Sequence, residues 1–163
     1  MGILTDAMQR LVREQRLAFV ATVGADGRPN LSPRGTGAVW DEDHLIFADL
    51  ASPRTTANLR ARPFVEVNVV DPVARKGYRF RGEATVLDHG ELFDRAIDFY
   101  AGRNIARPRE RVRAVVLVRV TETEPVISPG YDLGVSEAET RRWWAAYYSS
   151  LWLGTRPPDG PEP

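Results

Sequence analysis

The 163-residue chain has no cysteine. That excludes disulfides, thiolate metal sites and a cysteine nucleophile. Histidine is scarce: His44 and His89 lie far apart and form no metal-ligand spacing. No Ser-His-Asp arrangement stands in a recognisable motif. An enzyme built on this chain would borrow its reactive group from a cofactor. Excess charge is missing too. The 22 Lys and Arg residues balance 22 Asp and Glu, so whole-surface attraction to nucleic acid or acidic membranes is not expected. Long apolar runs are absent; "AVVLV" at 114–118 is far too short to cross a bilayer. The start, "MGILTDAMQRLVREQR", carries both signs of charge and no apolar signal segment. Asp6 stands where a myristoylation motif needs Ser or Thr. The expectation is a cytoplasmic protein that engages neither membrane nor nucleic acid.

What is present is ordinary for a globular protein, 43% hydrophobic and 27% charged. One domain over 1–152 is expected, with a flexible tail at 153–163. Leu4, Met8, Leu11 and Val12 predict a short amphipathic helix over 4–16. "LAFVATVG" (17–24) reads as a strand, "ADGR" as an Asp-Gly hairpin turn, and "PNLSPRGTGAVW" (29–40) as an irregular return strand with two prolines and two glycines. "HLIFADL" (44–50) is a further strand, and a helix follows from Pro53 to about Arg62. "FVEVNVV" (64–70) alternates, with Val65, Val67 and Val69 on one face. A strand over 78–88 turns Tyr78, Phe80, Ala84 and Val86 one way. A helix over 91–102 and a long strand over 113–128 follow. Ser136 and Glu139 form a capping box for a last helix, 137–152. Six strands dominate. Because the first and last are apolar on both faces, they suggest a barrel whose outside is also covered.

Five stretches could carry chemistry. In "SPRTT", Ser52 suits an N-cap and Pro53 the first helical position, so the amides of Arg54 and Thr55 would point out of the helix end. That is either a capped helix with a solvated arginine or an anion site. In "SPRGTG" (32–37), Gly35 and Gly37 would let a flat ligand lie against backbone, or simply mark a bulge. Arg75, Lys76, Arg79 and Arg81 could hold acidic groups or form the solvated face of a strand. Arg107, Arg109, Arg111 and Arg113 share one face if the segment is extended; this is the best cue for nucleic acid, diluted by Glu110. Finally, Trp144, Tyr148 and Trp152 form one helical stripe, and Trp143, Tyr147 and Leu151 the next. Together they are too wide for one small core, which favours burial against a second subunit.

Taken together, residues 10 to 128 resemble the pyridoxamine 5'-phosphate oxidase-like flavoproteins. The likeness rests on "LAFVATVGADGRPNLSPRGTGAVWDEDHLIFADL", "SPRTTANLRARPFVEVNVVD" and "RKGYRFRGEATV", a strand–Asp-Gly–strand–strand–helix–strand series with Asn58-Leu59 inside its helix. The resemblance implies a mainly β fold with peripheral helices, a six-stranded split β-barrel, and a homodimer with FMN in the grooves between subunits. It implies that Pro33, Arg34, Gly35 and Thr36 line the flavin and that Ala48 and Asp49 lie beside its ring or ribityl chain. Ser52, Arg54 and Thr55 would hold the phosphate. Lys76, with Arg75, would reach the cofactor from the partner chain, and Tyr131 and Trp144 are further partner-side candidates. Many relatives carry Lys or Arg at the position of Thr55, so this site has one cation fewer, a charge that Lys76 could supply. The basic residues that hold substrate phosphate in pyridoxamine 5'-phosphate oxidases find no match here. The expected function is flavin-dependent hydride or electron transfer to a small molecule. The deazaflavin F420 is the alternative cofactor, and a non-catalytic flavin- or haem-binding module the alternative role.

Overall fold

The structure, a computed structural model, describes residues 2–103 and 109–158. The chain begins with α1 (Asp6–Gln15), whose N-terminus is capped by the Thr5 hydroxyl and which ends at Arg16 in the left-handed conformation. Seven strands follow: β1 (Ala18–Val23), β2 (Pro29–Arg34), β3 (Ala38–Val39), β4 (His44–Asp49), β5 (Phe64–Asp71), β6 (Lys76–Leu87) and β7 (Ala114–Ile127). Helix α2 (Pro53–Ala61) joins β4 to β5, α3 (Glu91–Ala101) follows β6, and α4 (Glu137–Trp152) comes last. The strands form one antiparallel sheet in the order β2-β1-β5-β6-β7-β4-β3.

The return strand expected over 29–40 is two strands. The chain turns at Gly35–Thr36 and leaves β2 for β3, which lies at the opposite edge of the sheet. This is why seven strands replace the expected six, and it also dictates the curl. Six inter-strand spacings would put the edges about 29 Å apart in a flat sheet. Four residue steps from Arg34 to Ala38 reach at most about 14 Å. The sheet therefore rolls into a half-closed barrel with its seam at residues 35–37.

The barrel interior holds Val20, Phe47, Val65, Val67, Val69, Phe80, Val116 and Val118, and α1 adds Met8 and Val12 at one end. The expected alternation in β5 holds, with all three valines buried. Opposite Arg81–Gly82 the register shifts by one residue, Thr121 being the extra one in β7. Gly82 is required there, because a Cβ would run into the Arg119 carbonyl. Outside, Phe93, Ala96 and Tyr100 of α3 cover Ile46, Ala48 and Val115. Among the described residues nothing covers the outer face of β1: Phe19 and Val23 are exposed, together with Leu31 and Phe64. Helix α4 has the expected capping box at Ser136 and Glu139, but only Ser150 is buried along its length.

Candidate functional site

The site grows from the seam of the barrel. Strand β2 alternates, so Asn30, Ser32 and Arg34 face inward while Leu31 and Pro33 face out. Arg34 is only 5% exposed. Its Nη1 donates to the Ser52 hydroxyl at 2.9 Å and lies 3.9 Å from the Asp49 carboxylate. Its guanidinium sits 5.2 Å from the centre of the Phe47 ring. Nε and Nη2 are buried with no hydrogen-bond partner. Burial pushes this guanidinium below the usual arginine range, and the Asp49 charge only partly opposes that. A buried cation with two idle donors is a costly arrangement unless an acceptor completes it.

Asp49 ends β4 and is spent on the turn that follows. Its carboxylate accepts the Ser52 amide at 2.6 Å and the Thr56 hydroxyl at 3.4 Å. Ser52 stands at the N-cap of α2 as expected, yet its side chain does not cap the helix. The hydroxyl accepts from Arg34 instead. With Pro53 at the first helical position, the start of α2 has no side-chain cap. Arg54 is exposed there. A helix N-terminus without a cap, a hydroxyl and two arginines together favour a negative group.

Thr55 departs from its expected role. Its amide is taken by the Ser52 carbonyl at 3.1 Å, so it does not point out of the helix end. Its side chain is 1% exposed and accepts from Asn30 Nδ2 at 3.2 Å. Geometry therefore leaves Ser52, Arg54 and Arg34 at the helix entrance and turns Thr55 inward. Arg34's distance from Ser52 in sequence, and the side-chain bond between them, could not be read from either motif alone.

The neighbouring residues are held firmly. Thr36 Oγ1 donates to the Ala48 carbonyl at 3.2 Å and accepts the Ala48 amide at 3.0 Å. Tyr100 donates from its buried hydroxyl to the Thr36 carbonyl at 3.1 Å. Thr36 and Ala48 are thus buried and contribute backbone position, while Pro33 and Gly35 form the open lip. A Cβ built at Gly35 meets nothing within 4 Å.

Lys76 is not brought to this group. It begins β6 opposite Ile127, whereas Leu87, the other end of β6, pairs with Val115 beside Ala48. Eleven strand steps, roughly 35 Å at ~3.3 Å each, separate those ends. Lys76 donates to Glu137 at 2.8 Å and sits 4.2 Å from the Tyr131 ring centre. Arg75 lies 3.4 Å from the Trp144 ring centre. Arg79 and Arg81 pair with Glu66, Glu122 and Glu124, so these strand arginines serve the surface of the sheet. Arg109–Arg111 form a 3-10 turn, not the extended face expected of the arginine series, and Arg107 lies outside the described residues.

A family model described as pyridoxamine 5'-phosphate oxidase matches residues 4–126. The chain belongs to the pyridoxamine 5'-phosphate oxidase family. Its match spans α1 through nearly all of β7 and leaves α4 outside. Among solved structures, HupZ of Group A Streptococcus is 29% identical with a TM-score of 0.68, covering 77% of this chain and 96% of that one. An FMN-binding protein of Syntrophomonas wolfei is 18% identical with a TM-score of 0.63, covering 77% and 87%. HutZ, the heme storage protein of Vibrio cholerae, is 22% identical with a TM-score of 0.59, covering 78% and 95%. The latter two share the fold. No curated protein matches the chain. Within the family fold, the arginine, serine and uncapped helix at the barrel seam are this member's most polar unsatisfied feature among the described residues.

Proposed function

We propose that this protein binds FMN at the barrel seam and uses it for oxidoreduction of a small molecule. The observation that carries the reading is Arg34: a buried guanidinium with two unpartnered nitrogens beside an uncapped helix start. A phosphate monoester fits that donor set. It offers several acceptor oxygens to Arg34, the Ser52 hydroxyl and Arg54, and its negative charge meets the helix end. Pro33, Gly35, Thr36, Ala48 and Asp49 would border the flavin, Gly35 by leaving room and Thr36 by fixing the backbone of β4. Bound FMN would supply hydride or single-electron exchange at its ring. The chain itself would bind, orient and exclude water; no side chain in this group is placed as an acid or base.

The working unit in this reading is a homodimer. Phe19, Val23, Leu31 and Phe64 form an apolar outer patch on β1, β2 and β5 that the chain leaves exposed. A second copy covering it would complete the two-sided burial that the sequence of β1 suggests. It would also give Lys76, remote from its own seam, a route to the partner's cofactor. F420 would use the same phosphate contacts. The likeness to HutZ makes haem the second reading, although His44 pairs with Asp41 and His89 with Asp88, and neither bonds to Arg34, Ser52 or Arg54. The deciding experiment titrates the purified protein in parallel with FMN, F420 and haemin, then desalts it. Retained flavin absorbance with two equivalents per dimer supports the reading. Colourless protein with no measurable FMN affinity rejects it.

A further inference from the structure

Behind the site lies a buried polar cluster that neither the phosphate contacts nor the barrel core explains. Thr22 of β1 is 3% exposed, Thr55 of α2 is 1% and Asn58 of α2 is 8%. Asn30 of β2 sits directly across from Thr22 in the β1–β2 register. Asn30 Nδ2 donates to Thr22 Oγ1 at 3.1 Å and to Thr55 Oγ1 at 3.2 Å. Asn58 Nδ2 donates to the same Thr22 oxygen at 3.1 Å. Helix α2 is therefore tied by side chains to β1 and β2, which are themselves joined by their ladder. An apolar set of similar volume would pack there without any hydrogen-bonding demand, so the polarity needs a reason.

Position supplies it. Asn30 and Arg34 lie on the same face of β2, four residues apart. Thr55 and Ser52 lie one helical turn apart at the start of α2. Arg34 bonds Ser52, and Asn30 bonds Thr55. Two parallel cross-links thus join one strand to the first turn of one helix. Asn58 and Thr22 extend the tie to β1 and one turn further along α2. The helix N-terminus, Ser52 and Arg54 can converge with Arg34 on one anion only while β2 and α2 keep this relation.

We propose that Asn30, Thr22, Thr55 and Asn58 are positioning residues for the phosphate end of the cofactor. They touch no ligand; they fix α2 against the strand that carries the buried arginine. This rests on the FMN reading above, and it assigns Thr55 a role opposite to direct phosphate contact. Directional hydrogen bonds set the angle and register of the helix more sharply than apolar packing does.

The test compares FMN with riboflavin, which lacks the phosphate, on wild-type protein and on Thr55→Val, Thr55→Ser and Asn58→Leu. Thr55→Val keeps the shape and removes the acceptor. It should weaken FMN binding about 10-fold and leave riboflavin affinity within about twofold. Thr55→Ser, which keeps the hydroxyl, should restore most of the FMN affinity. Asn58→Leu should reproduce the selective loss. Thermal unfolding of each variant without flavin reports its folding separately. Equal losses for both flavins, or wild-type FMN affinity in a folded Thr55→Val protein, overturn the positioning role while leaving the FMN reading intact. A wild-type protein that binds riboflavin and FMN equally overturns both.

Discussion

Replacing Arg34 by Met should lower both stability and phosphate binding. The side chains are of similar length, so the barrel seam stays filled. Without ligand, two large terms oppose each other. The Arg34–Asp49 attraction across 3.9 Å is worth about 4 kcal/mol at an effective dielectric of ~20. Burying the guanidinium costs several kcal/mol, and only one of its nitrogens finds an acceptor. Asp49 keeps the Ser52 amide and the Thr56 hydroxyl after the change. Asp49 is nevertheless left buried without its cation, so the unliganded variant should lose about 3–5 kcal/mol in urea unfolding. Binding falls as well. Two lost charge-assisted hydrogen bonds to phosphate, at about 1.5–3 kcal/mol each, raise the FMN Kd by more than ~100-fold. Flavin fluorescence quenching gives that Kd, and riboflavin is the control that should not change. If Arg34→Met binds FMN within threefold of wild type, the idle nitrogens do not serve the phosphate. If the unliganded variant unfolds outright, Arg34 exists to neutralise Asp49 and the site reading loses its main support.

Other outcomes follow from the same geometry. Arg54→Ala should weaken FMN binding by roughly threefold to tenfold, more at low salt than at high, because this cation is exposed and screened; unfolding curves should not move. Gly82→Ala should destabilise the fold by about 1–3 kcal/mol as its Cβ meets the Arg119 carbonyl, whereas Gly35→Ala, with open space around it, should leave thermal unfolding nearly unchanged. Lys76 first and Arg141 second hold the Glu137 carboxyl below its ordinary value of 4.5. A depressed carboxylate contributes above its unfolded pKa and loses that contribution as pH falls through the lower folded value. The tether of α4 should thus loosen below pH 4.5, read as a change in emission from Trp143 and Trp144, and Glu137→Gln should remove this acid step.

Local rules carried most of the fold. Alternation placed Val65, Val67 and Val69, the Ser136–Glu139 box opened α4, and the Asp-Gly turn joined β1 to β2, because each signal lies within a few residues. The break at Gly35–Thr36 was legible only as irregularity. Its meaning depends on where β3 pairs: its partner is β4, and that pairing makes β3 the far edge of the sheet. The site split the same way. Arg34, Ser52 and Arg54 stood out as charge and hydroxyl at suggestive places, and the structure puts them together. Thr55 looked like a ligand because its amide was expected to point out of the helix end and the family resemblance placed it at the phosphate; here the Ser52 carbonyl takes the amide and Asn30 the hydroxyl. Asn30 itself gave no signal beyond sharing a strand face with Arg34. Asn58 belonged to the family pattern, but its partner Thr22 lies 36 positions away. Only tertiary contact shows why an asparagine is there.

The strand order also fixes when the site can exist. In the sheet, β7 lies between β6 and β4, so the β3–β4 hairpin has no backbone ladder to the other strands until residues 114–127 have paired. During synthesis, Arg34 and Asp49 leave the ribosome well before the strand that joins β4 to the rest of the ladder. Ligand uptake at the seam is therefore a report on completed folding. A chain stopped before β7 would present two sheets without a shared ladder, each with an open edge.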